Sequence, residues 1–396
     1  MLTQSASKLS INVIPAIIAG IIATTISYAG PLVIIFQAAQ SLEPKLVVSW
    51  IWAISIGSGL LGIIMSWRWR VPVVIAWSAP GSALLVTMLP HTDFATAVGA
   101  YIIANAAVLI VGLSGAFDRL LRLLPAAITS AMLAGILFRF LIDMAGASTS
   151  APLMVGAMMA AFFAGRIIAP RYAVVAVLVT GCVMTWLAGN MSGPLLSLEV
   201  AQPVWTTPKF DWAATLSIAL PLAVVSLTGQ FLPGIAMLRS HGYDRPTAKP
   251  LLSFSGLTSI LLAPFGCHGL NVAAFTAAIC VSSEAHEDPA KRYVAGISGG
   301  VTYLVFGLFA ASVLALFAAL PVALIAALAG LALFPVVAQS LGDAMRAAEG
   351  RDAALFTFVI SVSGISFAGL GSAFWGLIFG LLVHLLQRSA HKIFMK

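Results

Sequence analysis

Charged residues are scarce in this sequence. Only 8% of its 396 residues are Asp, Glu, Lys or Arg, whereas a soluble globular domain carries roughly 25%. Hydrophobic residues make up 61% of the chain, and its mean hydropathy is +1.05. This composition excludes an ordinary soluble domain and predicts a polytopic membrane protein. The net charge of +7 is then better explained by loop charges that orient the chain in the membrane than by binding of nucleic acid.

Cysteines and catalytic motifs are also lacking. The three cysteines, Cys182, Cys267 and Cys280, all lie in apolar stretches, so neither a disulfide framework nor a metal site is expected. The sequence contains no Walker A loop, no GxSxG, no HExxH and no Cys/His cluster. We therefore expect no cofactor and no enzymatic activity, and these absences disfavour an ATP-driven pump.

Long apolar runs predict an all-α polytopic fold with fourteen membrane-spanning segments. Fourteen spans place both termini on one side of the membrane. The loops and termini on that side then hold all but three of the 20 Lys and Arg residues. Such a bias predicts cytoplasmic termini in a bacterial inner (cytoplasmic) membrane, with the loop at 188–212 outside. The predicted spans are about 11–29, 46–66, 72–88, 95–114, 124–142, 151–165, 171–188, 213–238, 251–263, 268–281, 294–317, 321–341, 353–368 and 371–387.

The third span is interrupted. Val71–Trp77 is rich in β-branched residues and contains Pro72, which disfavours a helix interior, whereas Ser78 is a good N-cap for an apolar helix. The sequence therefore predicts a short strand followed by a half-helix. In a membrane, free N–H groups at such a break are tolerated only inside protein or around a cavity, and a helix N-terminus attracts anions. We therefore expect Ser78 and the backbone of Ala79 and Gly81 to bind a ligand.

Two stretches half a chain apart resemble each other. LPAAITSAMLAGILF begins at Leu124, and LPVALIAALAGLALF begins at Leu320. The region of Ala273 follows the break at Ser78 by the same separation along the chain. There the sequence APFGCHGLNVAAFTAAIC also combines Pro and Gly with a short apolar helix. Seven spans in each half require opposite orientations, and inverted repeats with paired interrupted helices are typical of secondary transporters. The predicted repeats are 1–195 (spans 1–7) and 196–396 (spans 8–14). Chance similarity between Ala- and Leu-rich helices is the alternative.

Few polar residues lie deep in the predicted spans, and each of them needs a partner or a ligand. Gln230 lies in a segment loosened by glycines and by Pro233, and His268 is close to two glycines at the second break. His268 is the candidate for proton coupling, although His268 and Asn271 could instead cap the second half-helix or bond between helices. The predicted substrate-binding residues are Tyr28, Trp77, Ser78, Ala79, Gly81, Gln230, His268, Gly269, Leu270, Asn271 and Phe275.

Several motifs carry a resemblance to a known family. They are ISYAGPLVIIFQAA from Ile26, AWSAPGSALL from Ala76, APFG from Ala263, NVAAFTAAIC from Asn271, EAH at 284–286 and GSAFWG from Gly371. Together they resemble the benzoate:proton symporter (BenE) family over nearly the whole chain, and that family is similar to the uracil-transporter fold. The resemblance implies two inverted repeats of seven spans, a core domain (about 1–115 and 212–318) and a gate domain (about 119–188 and 320–388). The nucleobase relatives have a carboxylate in span 8 where this chain has Gln230, and an amide suits an anionic substrate.

We interpret the chain as a secondary transporter that imports benzoate, or a similar aromatic carboxylate, together with a proton by alternating access. The half-helices of spans 3 and 10 would direct their N-termini at the carboxylate, and Tyr28, Trp77 and Phe275 would surround the ring. His268 would take up the proton, unless the substrate itself carries it as benzoic acid. A nucleobase or inorganic-anion carrier of the same fold and an anion channel are the alternatives. The expected partners are the substrate, the proton and the lipid bilayer, without nucleic acid; a homodimer is left open.

Overall fold

The computed structural model describes residues 13–123, 125–188, 198–274, 276–283, 285–346, 350–365, 367–368 and 370–394. Within these ranges the chain forms nineteen α-helices and two short β-strands. The fold is therefore mostly helical, as predicted.

The first half contains nine helices and one strand in its described part. They are α1 (Ile14–Ala29), α2 (Pro31–Ala38), α3 (Pro44–Trp69), β1 (Ile75–Trp77), α4 (Ala79–Met88), α5 (Phe94–Ser114), α6 (Phe117–Leu123), α7 (Ala126–Ser150), α8 (Pro152–Ile168) and α9 (Ala173–Leu187). Proline lies in the first turn of several of them, including α3 and α8, where its missing N–H is not needed.

The second half has shorter helices and the second strand. They are α10 (Trp212–Ala214), α11 (Leu220–Ser226), α12 (Leu232–Ser240), α13 (Ala248–Leu262), β2 (Leu270–Val272), α14 (Ala277–Val281), α15 (Tyr293–Leu308), α16 (Ala310–Ala318), α17 (Val322–Met345), α18 (Arg351–Ser363) and α19 (Ser372–Phe394). Two π-helical turns, Thr215–Ala219 and Leu227–Phe231, join α10, α11 and α12 into one continuous helical segment.

Seven helical segments of the described chain are long and apolar enough to cross a membrane, and the count is eight if the bent pair α15 and α16 is one span. The axes of that pair differ by 73°. Each of the fourteen predicted runs overlaps a helix or strand, but several of these elements are shorter than a membrane is thick. Three are apolar helices of intermediate length, Pro152–Ile168, Ala173–Leu187 and Ser372–Gln387, and two are the broken segments that contain β1 and β2.

The helices pack in two groups. In the first group, α15 packs on α1 and α3, and α13 packs on α5. In the second group, α7 packs on α17 and α18, α8 packs on α9, and α18 packs on α19. The half-helix α4 lies in the contact zone between the two groups. It touches α7 of the second group, and it touches α2 and α11, which contact α1 and α5 of the first group.

The two similar sequence stretches form equivalent helix starts. Pro125 precedes α7 and Pro321 precedes α17, each as the N-cap with extended backbone. The two helices pack against each other along much of their length. The shared Leu-Pro pattern therefore marks two helix N-termini at the centre of the second group.

Glycines allow the first group to pack closely. A Cβ at Gly20 would overlap the carbonyl oxygen of Ala295, and one at Gly300 would lie 2.7 Å from the carbonyl oxygen of Gly59. The backbones of α1 and α3 thus approach that of α15 at positions where only glycine fits, as is common between helices in membranes.

Candidate functional site

The two broken segments meet as a two-stranded antiparallel ribbon. Ile75 is opposite Val272, Ala76 is opposite Asn271, and Trp77 is opposite Leu270. The backbone pairing extends at both ends, because Ser78 N–H donates to Gly269 O (3.2 Å) and Ala273 N–H donates to Val74 O (2.9 Å). The interrupted backbone of one segment is therefore satisfied by the other, which is how a strand can persist inside a helical membrane protein.

Ser78 caps the half-helix α4, as predicted. Its Oγ accepts from the N–H of Gly81 at 3.0 Å, and its carbonyl oxygen accepts from the N–H of Ser82 at 2.8 Å. Pro80 has no N–H, so the N–H of Ala79 is the remaining donor of this first turn. No described residue accepts a hydrogen bond from it, and Ala79 is only half-buried. Of the two backbone amides expected to bind a ligand, only the N–H of Ala79 is available, because the N–H of Gly81 already donates to Ser78.

The second half-helix is not equivalent to the first. The helix α14 begins at Ala277 and has only five residues, whereas α4 has ten. The second break is thus followed by a short helix, as predicted, and α4 offers the stronger helix N-terminus because a short helix aligns few peptide dipoles. Phe275, just before α14, lies outside the described residues.

His268 is completely buried and has a partner on each ring nitrogen. The indole N–H of Trp50 donates to Nδ1 at 3.0 Å. Nε2 is 3.1 Å from the carbonyl oxygen of Ser78 and 3.0 Å from Oγ of Ser82. Because an indole can only donate, Nδ1 is an acceptor and the ring proton resides on Nε2. His268 therefore links α3 to the start of α4 as a neutral imidazole in this conformation.

The backbone around His268 is held by a hydrogen bond from Asn105 and by close packing against α3. Asn105 Nδ2 donates to the carbonyl oxygens of Tyr101 (2.8 Å) and His268 (3.2 Å). Gly266 has φ +103°, a left-handed conformation that favours glycine, and a Cβ there would lie 3.0 Å from Cα of Trp50. The loop before β2 is thus pressed against α3.

The predicted aromatic residues form a closed cluster. The ring centroids of Tyr28 and Trp77 are 5.4 Å apart in an edge-to-face arrangement, and both rings also contact Tyr303. Phe306 covers the other side of Tyr28 with centroids 4.6 Å apart, and the hydroxyl of Tyr28 bonds Oγ of Ser55. Tyr28 and Trp77 are buried, so the rings pack on one another rather than around an open space.

Asn271 faces away from that cluster. Directly opposed residues of an antiparallel pair share a face and alternate residues do not, so Asn271 and Ala76 lie on one face of the ribbon, and Trp77 and Leu270 lie on the other. Nδ2 of Asn271 is buried and has no partner among the described residues. An unpaired buried donor is costly, and an acceptor from a ligand would satisfy it.

Gln230 lies in the second π-helical turn, beside the ribbon. This turn contacts both β2 and α7, and a Cβ at Gly229 would lie 3.1 Å from the side chain of Leu133 on α7. Gln230 is half-buried. A π-helical turn often marks a functional position in a helix, and here it places a neutral amide where the two helix groups meet.

Three residues that hold this site were not among the predicted substrate-binding residues. Trp50, Ser82 and Asn105 all contact His268, and they lie more than 160 positions away from it. Asn105 is identifiable as a rare polar residue in an apolar span, but nothing local predicts its partner. The described residues include no group of His, Cys, Asp and Glu that could hold a metal ion.

The fold is similar to those of solved anion transporters. One structure is the transmembrane domain of a cyanobacterial bicarbonate transporter, BicA (TM-score 0.59, 16% identity, 93% of this chain and 97% of that one). Another is SLC26A9 (TM-score 0.62, 16% identity, 94% of this chain), of which the match covers 64%. By fold, the protein is therefore a polytopic membrane protein with the architecture of these two proteins.

The chain belongs to the BenE family of benzoate membrane transport proteins, whose family model matches residues 10–386. It is 45% identical over 373 residues to the benzoate membrane transport protein of Acinetobacter baylyi, a match that covers 94% of both chains. It is also 39% identical over 368 residues to the inner membrane protein YdcO of Escherichia coli, covering 92% of this chain and 94% of that one. The resemblance seen in the sequence motifs is thus confirmed.

Proposed function

We propose that this protein is a secondary active transporter that imports benzoate, or a similar aromatic monocarboxylate, together with a proton. The observation that carries the proposal is the start of α4, where the half-buried N–H of Ala79 has no acceptor among the described residues. A carboxylate oxygen is the natural acceptor for an amide at a helix N-terminus. Membership of a family of transport proteins supports the transport role.

The carboxylate would bind at the N–H of Ala79, just beyond the end of the ribbon. Asn271 supplies a second unpartnered donor on the face of the ribbon that it shares with Ala76, away from Trp77. A carboxylate on Asn271 and a ring beside Trp77 would therefore be alternative positions of the substrate. Gln230 supports an anionic ligand because its amide adds no negative charge to the region. Ser78, His268, Gly269 and Leu270 would hold the site in shape rather than contact the carboxylate. The Oγ of Ser78, both ring nitrogens of His268, the carbonyl oxygen of Gly269 and the N–H of Leu270 already have hydrogen-bond partners.

The aromatic ring of the substrate requires a different conformation. Tyr28 and Trp77 pack tightly against each other here, so their predicted contact with a substrate ring needs this cluster to open. Such an opening is consistent with alternating access, in which one helix group moves against the other. In this proposal the first group is the core domain and the second group is the gate domain, with the boundaries expected from the family.

We further propose fourteen spans in two inverted halves. The similar starts of α7 and α17 and the two strand-containing breaks support this arrangement. The two strand-containing breaks would then be enclosed by longer helices, where the membrane's length requirement is relaxed. The short helices α8 and α9 instead expose apolar side chains such as Leu153 and Trp186, as lipid-facing helices do. The termini would lie on the cytoplasmic side of the inner membrane.

Two routes for the proton are compatible with the site. His268 could accept it, but Nδ1 already accepts from Trp50, so an imidazolium would direct two N–H groups at each other unless that bond breaks. Alternatively, the substrate carries the proton as benzoic acid. We keep His268 as the candidate, on the condition that Trp50 moves away during the cycle.

An inorganic anion is the second candidate substrate. The structural neighbours with this fold include a bicarbonate transporter and an anion transporter, and the N–H of Ala79 could donate a hydrogen bond to any small anion.

Uptake of labelled benzoate by purified protein in liposomes tests the proposal. We expect saturable uptake that accumulates benzoate when the outside is acidic and that collapses with a protonophore. Unlabelled bicarbonate and uracil serve as competitors. Uptake of bicarbonate or uracil without uptake of benzoate would overturn the substrate assignment, and non-saturating flux would indicate a channel.

A further inference from the structure

A shallow cavity lies where α4 meets α7, α18 and α19. It occupies about 300 Å³ including open solvent, and its enclosed part has room for no more than one water molecule. The half-helix α4 contributes Leu84 and Thr87, and the other helices contribute Arg139, Ser361 and Ser372. The cavity begins at Ala83, four residues or about 6 Å beyond Ala79 along the helix axis, and extends to Thr87, about 12 Å beyond it at 1.5 Å per residue. It therefore starts one helical turn past the amide of Ala79 and lies towards the C-terminal end of α4.

Arg139 is unusual for a membrane-spanning helix. It lies near the middle of α7, its side chain is exposed, and no carboxylate of the described residues lies within the 4 Å of an ion pair with it. Asp143, one turn further along α7, influences it electrostatically at longer range. The predicted span ends at about residue 142, so Arg139 lies towards the outer end of the membrane-crossing part of α7. Its charge is available there to an anion that approaches from outside.

A glycine leaves space beside the guanidinium of Arg139. Gly364 has φ +68°, and a Cβ at this position would lie 3.5 Å from Nη1 of Arg139. Because the glycine at the end of α18 has no side chain, the guanidinium can reach the cavity. A larger residue would narrow that access.

One residue that lines the cavity, Ser361, has a buried hydroxyl without a partner among the described residues. Ser361 is only 5% exposed. Oγ of the neighbouring Ser372 donates to the carbonyl oxygen of Ser361 (3.1 Å), and Oγ1 of Thr87 donates to that of Leu84 (2.9 Å). A guanidinium and a free hydroxyl donor in one cavity suit a carboxylate, which accepts from both.

We propose that Arg139 and Ser361 form a capture site for the carboxylate of the substrate at the contact between the two helix groups. This inference rests on the proposed transport of an aromatic carboxylate. The charge distribution of the sequence assigns Arg139 to the outer side. The substrate anion binds there first and then passes along α4 to the amide of Ala79.

The test compares uptake kinetics in liposomes at several salt concentrations. Arg139→Gln removes the charge, and we expect the KM for benzoate to rise about fivefold or more with little change in kcat, because the positive potential in the entry path is lost. The KM of the variant should also depend less on salt. Arg139→Lys should recover part of the affinity. Arg166→Gln is the matched control, since it removes an exposed arginine from α8, away from the cavity, and we expect it to leave the KM unchanged.

Two further variants keep the inference testable if Arg139→Gln does not fold. Asp143→Asn removes the nearby negative charge and should lower the KM, and Ser361→Ala should raise it about twofold through loss of one weak hydrogen bond. If the parent protein transports benzoate while Arg139→Gln keeps the parent KM, the capture site is wrong and the proposed function stands. If Arg139→Gln does not fold, parent KM values in both Asp143→Asn and Ser361→Ala lead to the same conclusion. If the parent protein does not transport benzoate at all, the proposed function itself fails.

Discussion

Trp50 donates its indole N–H to Nδ1 of His268 across 3.0 Å, between residues 218 positions apart in the chain. This single bond fixes the tautomer of the histidine and directs its Nε2 proton towards Ser78 and Ser82 at the start of α4. The half-helix that offers the amide of Ala79 is therefore held in place by α3. Loss of this hydrogen bond would therefore alter the candidate substrate site.

Replacement of His268 by Gln tests its role in proton coupling. The Gln side chain can accept from Trp50 through Oε1 and donate to Ser78 through Nε2, so we expect the variant to fold and bind benzoate. It cannot titrate between pH 5 and 8, so we expect benzoate accumulation driven by a pH gradient to be lost. Binding to detergent-purified protein and uptake by liposomes measure the two properties. Undiminished gradient-driven uptake would exclude His268 and leave the substrate as the proton carrier.

Trp50→Phe is the companion experiment. It removes the donor that opposes protonation of Nδ1 while it keeps an aromatic ring against His268. If His268 takes up the proton, we expect half-maximal uptake to shift to higher pH. A pH profile identical to that of the parent would support a purely structural role for the histidine.

Gln230→Glu places a negative charge where the two helix groups meet. We expect benzoate binding at neutral pH to weaken by at least about tenfold, because two like charges repel strongly in a region of low dielectric constant. Titration of intrinsic tryptophan fluorescence measures the affinity. Gln202→Glu, on an exposed loop, adds the same charge elsewhere and should leave the affinity unchanged. Equal affinity of Gln230→Glu and the parent would remove Gln230 from the site.

The sequence was informative wherever the structure depends on local chemistry. The strand at Ile75–Trp77, the cap at Ser78 and the break near Leu270 are all confirmed, because β-branching, proline and a capping serine act within a few residues. The family was also recognisable from short motifs, and the family model confirms it.

The partners of the site residues could not be predicted in the same way. Nothing near His268 in the sequence points to Trp50 or Ser82, since these contacts depend on how distant helices pack. The alternation along the ribbon, which separates Trp77 from Asn271, depends on a strand register that only the pairing defines. The length of α14 was likewise not evident, because an apolar run does not show where its helix begins.

Gly20→Ala tests the close contact between α1 and α15. The added methyl group would overlap the backbone at Ala295, and we expect it to destabilise the protein by about 1–3 kcal/mol, the usual cost of overpacking. Gly146→Ala on α7 is the matched control, since nothing lies within 4 Å of a Cβ there. Thermal unfolding in detergent gives both values. Equal melting temperatures of the two variants would show that the helices do not approach so closely.

The loop between the halves tests the orientation of the whole chain. Its described part runs across one end of the first helix group, because Val204 N–H donates to Oγ of Ser49 (2.9 Å) and Lys209 N–H donates to the carbonyl oxygen of Ala95 (2.9 Å). The bias of Lys and Arg assigns this side to the outside. In a variant without the natural cysteines, Gln202→Cys should therefore react with an impermeant thiol reagent in intact cells. Ala290→Cys, exposed in the segment before α15, should react only after the cells are opened. The reverse pattern would invert the topology and would place Arg139 on the cytoplasmic side.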